Sequence, residues 1–303
     1  MSATRISAIV PVHERSDMLS EAVESLVATR YPNLEIEVVV DGSARSTLDR
    51  ARGLESRYPG LVRVIRHPGC ANLGPGASRN RGIRLATGRY VCFLDSDDVV
   101  LPNRFRMAPA ALDADSSIDG VCERFLRVGS GPMDPPILAR DRTGLREELL
   151  GPGVEWHVNS ILLRRRCLRD VGGFSEVLRT SEDWVLWTKL ALAARIVDGG
   201  PDPVAIYRRH AKNTAPIFEN SLLAFLEVIE WARGRELNDE KLGAVREEAW
   251  GKLLYVCDRL YRRGERGRAA RLLIASAAAV PAFVRRSGFW RNLLQAGLLA
   301  GRG

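Results

Sequence analysis

"RISAIVPVHERSDMLSEAVESLVATR", Arg5 to Arg30, is the stretch from which the fold can be read. "RISAIVPV" is an apolar run of strand length. After the polar "HERS" the period changes, and Leu19, Ala22, Val23, Leu26 and Val27 fall on one face of a helix. The same unit recurs downstream. "LEIEVVVDGS" precedes "TLDRARGLESRY", "LVRVIRH" precedes "ASRNRGIRLATG", and "RYVCFLD" supplies a fourth strand. Strands alternating with helices require right-handed crossovers, and therefore an α/β fold with a mainly parallel sheet flanked by helices.

Ligands of such sheets bind beyond the carboxyl ends of the strands. The polar residues that follow each strand should therefore meet: His13 and Glu14, then Asp41, Gly42 and Ser43, then the loop "HPGCANLGPG" with Asn72, and finally Asp95 to Asp98. Asp95, Asp97 and Asp98 place three carboxylates in four positions, where mutual repulsion must be offset. A divalent cation held by oxygen ligands would do so; so would a solvated turn in which an Asp caps the next helix. Both readings stay open on these residues alone. The Gly-rich "NLGPGASRN" opens a helix whose backbone amides can face an anion.

From Arg104 to Leu150 the pattern loosens, and "GSGPMDPPILARDR" (129–142) reads as a long active-site loop or lid. "VEWHVNSILLRR" then reads as a strand, "EDWVLWTKLALAAR" as a helix and "PVAIYRRH" as a last strand. Beyond Pro216 only helical patterns remain, which divides the chain into an α/β domain over 1–215 and a helical C-terminal extension over 216–303. Within that extension Leu272 to Val284 is too short to span a bilayer and contains Pro281. Flanked by Arg271, Arg285 and Arg286, it reads either as a surface-lying membrane helix or as a buried helix of a helical subdomain.

With 46% hydrophobic and 27% charged residues over 303 positions, and no repeat or low-complexity block, the composition is that of an ordered protein. A formal charge of +8 calls for an anionic partner. No Lys/Arg run is interleaved with aromatics and no nucleic-acid motif is present, which argues against nucleic acid. The five scattered cysteines lack metal spacing and read as reduced thiols. The N-terminal apolar run is too short for a signal peptide, so cytoplasmic residence is expected.

The stretches "AIVPVHERSDMLSEAVESLVATRYPNLEIEVVVDGS", "NLGPGASRNRGIRLATGRYVCFLDSDD", "VGGFSEVLRTSEDWVLWTKLA" and "YRRH", in that order, resemble the family 2 glycosyltransferases of GT-A fold over roughly Ser7 to His210. The resemblance implies an inverting enzyme that moves a sugar from a nucleotide-diphosphate sugar, with UDP-sugar the leading donor and Mn2+ or Mg2+ the metal. It assigns Asp97 to the metal, Asp95 to metal or ribose with Ser96 between them, and His210 and Arg208 to the metal or diphosphate. Pro11, Val12, His13, Glu14, Asp41 and Gly42 fall at the base, and Asn72 and Arg79 near the nucleotide, with Asn80 holding the loop.

By the same resemblance Asp183 is the general base and its neighbour Glu182 orients the acceptor or sugar; read without it, the two acids favour a helix N-terminus. Trp156, His157 and Asn159 are placed in the sugar or acceptor pocket. Val40, Glu14 and Val185 depart from the family's pattern. The expected acceptor is a carbohydrate, lipid-linked or small-molecule hydroxyl. Peripheral contact with the inner face of a membrane through the C-terminal helices stays open. So do two other functions: a sugar nucleotidyltransferase, which usually carries a Gly-rich basic loop that "VPVHERSD" lacks, and a non-catalytic nucleotide-binding or membrane-peripheral scaffold.

Overall fold

The computed structural model describes residues 3–14, 16–129, 137–138, 156–209, 218–235 and 239–295. It divides into two compact units, 1–214 and 215–303. The 129–142 loop lies almost wholly, and His210 entirely, outside the described residues.

The first unit opens with β1 (Ile6–Val12), α1 (Ser16–Ala28), β2 (Leu34–Val40), α2 (Arg45–Arg57), β3 (Val62–Arg66), α3 (Pro75–Leu85) and β4 (Tyr90–Phe93). Each β1 residue except Pro11 is buried, and Leu19, Ala22, Val23 and Leu26 of α1 pack over the sheet in the same core. The four strands lie in the order β3-β2-β1-β4, all parallel.

Chain order therefore reverses at β1, which makes the crevice beside its carboxyl end the topological switch point. The ladder between β1 and β4 runs only from Ile6–Tyr90 to Ile9–Phe93, whereas that between β1 and β2 continues to Val12–Val40. Pro11 thus stands where β4 has already left the ladder, so its missing N–H breaks no pairing on that side.

Beyond β4 the sheet is mixed. β5 (Val99–Val100), α4 (Ala108–Ala114), β6 (Gly120–Val128), β7 (Ile137–Leu138), β8 (Ile161–Arg164), α5 (Arg165–Val171), α6 (Glu182–Ala193) and β9 (Ile196–Arg208) complete the unit. The order continues β4-β8-β6-β9-β5, with β7 on β6. β8 pairs antiparallel with both β4 and β6, and only β6–β9 is parallel. β6 lies inside the stretch whose pattern loosens, because Glu123 and Arg124 interrupt its apolar run. Glu123 is nonetheless buried, paired at 2.7 Å with the fully buried Arg104, whose other amine donates to the Ile161 carbonyl at 2.7 Å.

The second unit holds α7 (Phe218–Arg233), α8 (Asp239–Arg262), α9 (Arg266–Ala279), a 3-10 turn over Pro281–Arg285 and α10 (Ser287–Gln295). Phe225, Trp250 and Phe283 form its aromatic core, with ring centroids 5.7 and 5.0 Å apart. Among the described residues no helix is long and apolar enough to cross a membrane.

Candidate functional site

A cleft of about 470 Å³ opens at the switch point. It is lined by Pro11, Val12 and His13 after β1, Asp41 after β2, Asn72 and Arg79 around the start of α3, Asp95 to Asp97 after β4, His157, Glu182 and Asp183 at the start of α6, and Tyr207 of β9. Glu14, Gly42 and Arg208 do not line it, although each supports a part that does.

At the end of β2 the Asp41 carboxylate is used by the backbone. Its two oxygens accept the amides of Leu73 at 2.7 Å and Gly74 at 2.9 Å, which ties the Gly-rich loop to β2. Gly42 has φ +59°, and a Cβ there would lie 2.5 Å from the Asn72 backbone nitrogen, so only glycine permits this approach. Buried His67 sits 3.6 Å from Asp41 and 2.9 Å from the Ser78 hydroxyl. Burial holds its pKa below the ordinary value.

Hydrogen bonds orient the His13 ring. Nδ1 lies 2.8 Å from the Asp41 carbonyl oxygen, which can only accept, so Nδ1 carries the proton. Asn72 Oδ1 accepts from Arg179 at 2.5 Å, and its amide nitrogen lies 3.2 Å from both ring nitrogens of His13. His13 therefore presents an oriented ring at the end of β1. Glu14, at φ +54°, accepts the Ala44 amide at 2.6 Å and stitches the β1 loop to the start of α2.

At the end of β4 the carboxylates are arranged differently. Asp98 is buried and accepts from the Asn159 side chain at 2.6 Å and the Arg208 amide at 2.7 Å. Burial, with the charge of Asp95 second, pushes its pKa up to about 7. Asn159 also accepts the Asp95 amide at 3.0 Å, and so shapes the whole acidic turn. Arg208 donates to the Asp97 carbonyl at 2.5 Å and to Glu21 at 2.6 Å, so it braces the turn from behind. Single oxygen or nitrogen atoms of Asp95, Asp98 and His157 lie within 4.8 Å of one another, and Asp97 lines the same wall.

Arg79 joins the two acidic groups. Its guanidinium donates to Asp95 at 2.7 Å and to Glu182 at 2.8 Å and rests 5.1 Å from the centre of the Phe174 ring. Burial and the charge of Asp183 push the Glu182 pKa up to about 7. Asp183 faces the cleft beside it, with one oxygen accepting its neighbour's amide at 2.7 Å. Ser181, just before the pair, has φ +68°, a left-handed conformation that turns both acids out of the chain's path. Gly76 of α3 packs so closely that a Cβ would lie 2.0 Å from the Ser175 carbonyl oxygen, which brings the start of α3 against the segment leading to α6.

His157 is expected in the pocket and lines it. Trp156 is instead buried against Trp187, and Asn159 lies fully buried beneath the turn. Residues the sequence reading does not single out are Arg179 and Tyr207. Arg179 covers the Gly74 backbone and holds Asn72; a Cβ on Gly74 would lie 2.9 Å from its guanidinium.

Among the described residues five carboxylates line the cleft, those of Asp41, Asp95, Asp97, Glu182 and Asp183, against the guanidiniums of Arg79 and Arg179. Arg79 is already engaged by two of them. An anionic ligand entering this wall needs a cation brought with it, and the oxygen-rich set of Asp95, Asp97 and Asp98 suits a hard divalent ion. His157 fits less directly. Its Nδ1 accepts the Asn159 amide at 3.3 Å, so in the neutral ring Nε2 holds the proton and acts as a donor.

The sequence profile described as "Glycosyl transferase family 2" matches residues 7–164. The chain is 35% identical over 118 residues to the uncharacterized glycosyltransferase YibD of Escherichia coli K12, which is 39% of this chain and 33% of that protein. It spans about a sixth of the next two curated relatives it matches. In structure it is similar to residues 1–349 of S. aureus TarS in complex with UDP-GlcNAc, with a TM-score of 0.72 and 21% identity over 91% of this chain and 82% of that one. It is also similar to the mannosyltransferase PcManGT of Pyrobaculum calidifontis in complex with GDP-Man and Mn2+, with a TM-score of 0.58 and 17% identity over 99% and 88% of the two chains.

Proposed function

The chain belongs to glycosyl transferase family 2 and has its GT-A fold, and we propose that its cleft transfers a sugar, with inversion, from a nucleotide-diphosphate sugar to an acceptor hydroxyl. One observation carries this reading: an acidic wall at the switch point lies opposite a second acid pair at the start of α6, and buried Arg79 bonds to both.

In this reading the base of the donor lies against Pro11, Val12 and His13, on the loop that Asp41 fastens. UDP is the favoured nucleotide, in line with the UDP-GlcNAc held by TarS; the GDP-Man of PcManGT makes GDP the comparison to test. Asp95, Asp97 and Asp98 would hold Mn2+ or Mg2+. Bound there, such an ion neutralises charge on the diphosphate as the glycosidic bond breaks. The domain roles follow the two units, donor chemistry in 1–214 and a helical extension in 215–303.

Asp183 takes the proton of the acceptor hydroxyl as its oxygen bonds to the anomeric carbon, and the bonding pair of the broken C–O bond leaves with the diphosphate. Glu182 stays bound to Arg79 and fixes the orientation of Asp183. Arg79 fixes Asp95 in the same way, so the acid pair and the acidic turn keep one spacing. The acceptor is a hydroxyl of a carbohydrate, a lipid-linked sugar or a small molecule, and the reading includes cytoplasmic residence.

Donor hydrolysis, with the anomer first released read by NMR, tests this assignment. Release of the inverted sugar by the native protein and its loss in Asp183→Asn are expected. A retained anomer, or hydrolysis unaffected by the substitution, would remove Asp183 from the reaction.

A further inference from the structure

The positive charge of this protein is concentrated at one end of the sequence. Residues 249–303 hold eleven Lys and Arg against two Asp and Glu, more than the whole excess of +8, so the preceding 248 residues are close to neutral. Exposed apolar side chains concentrate there too. Among the described residues, four of the eight exposed large hydrophobic ones, Leu223, Tyr255, Ile274 and Trp290, belong to the second unit, which holds under a third of the chain.

Helix α9 shows how the two features combine. Ala269, Ala270, Leu272, Leu273 and Ser276 are its buried face. The opposite stripe, Arg271, Ile274, Ala275 and Ala278, is exposed at spacings of three and four residues. It is basic toward the amino end, where Arg268 adds to Arg271, and wholly apolar toward the other. Exposed Pro281, Ala282 and Arg285 continue the chain from it. Trp290 then presents an indole that is 47% exposed although its N–H is satisfied by the Val284 carbonyl at 2.9 Å. An aromatic ring held outward with its polar atom already bonded has nothing to gain from water.

We propose that this outer face of α9 and the segment 281–291 docks on an anionic lipid bilayer, with the arginines at the headgroups and Ile274 and Trp290 at the acyl boundary. Charge complementarity selects the partner. A soluble polyanion would satisfy the arginines but gives Ile274, Ala275 and Ala278 nothing to pack on, whereas an anionic bilayer meets both ends of the stripe. With 14 residues, about 21 Å at 1.5 Å per residue, α9 can lie on a bilayer and cannot cross one. None of these residues lines the cleft, so this surface stands or falls independently of the glycosyl transfer proposed there.

The full-length protein, floated with phosphatidylcholine vesicles with and without 30% phosphatidylglycerol at low and high salt, tests the surface. Flotation only with the anionic vesicles, lost at high salt, is expected. Arg271→Gln and Arg285→Gln should each weaken it about fivefold. Ile274→Asp should weaken it at low salt too, and Trp290→Phe should remove part of the tryptophan quenching by brominated lipid. Unchanged melting temperatures establish that the variants fold. Equal flotation on neutral vesicles, no flotation at all, or native binding in both Arg271→Gln and Ile274→Asp would overturn the assignment. Displacement from vesicles by a soluble polyphosphate, with that binding unaffected by Ile274→Asp, would do the same in favour of a polymer.

Discussion

Two aspartates in the turns after strands of the parallel half-sheet meet opposite fates. Asp41, after β2, has both oxygens occupied by backbone amides and serves to fasten a loop. Asp98, after β4, is also buried, and that burial, with the charge of Asp95 second, drives its carboxyl up to about 7. Residue type is the same, but Asp41 follows β2 directly, whereas Asp98 lies five residues beyond β4. Each accepts two N–H donors, and what differs is the surroundings: the Gly-rich loop folds back on Asp41, whereas the turn after β4 packs several acids together and leaves a wall suited to a cation. An acid whose bonds close one loop acts as a fastener, and acids crowded on one turn make a wall for a cation.

Substitutions should separate these roles, beginning with the acid pair that faces the wall. Asp183→Asn should lower turnover by about 10²- to 10⁴-fold, with nucleotide affinity and melting temperature near native; initial-rate assays beside calorimetry check this. A parallel loss of stability would make Asp183 a structural cap instead.

Asp41→Ala removes a charged acceptor from two buried amides and should destabilise the fold by about 3 kcal/mol, measured by urea unfolding. The loss of nucleotide binding that follows should be recovered in part by Asp41→Asn, which keeps one acceptor. Recovery of stability without recovery of binding would mean that Asp41 touches the ligand itself.

The same comparison predicts opposite pH dependences. Burial depresses His67, beside Asp41, so its stabilising effect is complete above the unfolded value of 6.5 and is lost as pH falls through the lower folded value. Asp98 is raised from 3.8 to about 7, so the folded metal-free protein favours its protonated form. Its contribution is present below 3.8 and is lost as pH rises through 7. His67→Gln should flatten the acid limb of a stability profile, and Asp98→Asn the neutral limb. Divalent cation should also flatten the neutral limb by binding the ionised carboxylate. One slope common to both variants would contradict the distinction.

The smallest effect is expected at Ser181. Glycine accepts φ +68° without the steric cost a serine bears, but loses more entropy on folding, so Ser181→Gly should change stability by less than about 1 kcal/mol and leave turnover near native. Ser181→Val should lower both, since a β-branched residue opposes the turn that presents Glu182 and Asp183.

The parallel half-sheet and the acidic turn were legible because each carries a local signal: a change of period from strand to helix, glycines at a loop, and acids directly after an apolar run. β6 was not legible, since Glu123 interrupts its pattern and the compensating Arg104 lies on a separate segment. Asn159 supports Asp95 and Asp98 across more than sixty positions, and Arg179 reaches Asn72 across 107; no periodicity records such partnerships. Trp156 shows the converse. Next to a true lining residue, His157, it turns inward to Trp187, because neighbouring side chains on an extended segment face opposite ways. The base excess was legible as a total, and its concentration beyond residue 248 gives it a location.

The central claim is that the wall after β4 binds a nucleotide diphosphate through a divalent cation. Calorimetric titration of UDP and GDP, with and without Mn2+, into the native protein and Asp97→Ala tests it most directly. Tight binding of UDP that requires Mn2+, disappears in Asp97→Ala and exceeds that of GDP is the expected result. Binding that is indifferent to Mn2+ and to Asp97→Ala, or no nucleotide binding at all, would contradict it and reduce the acidic cluster to a turn.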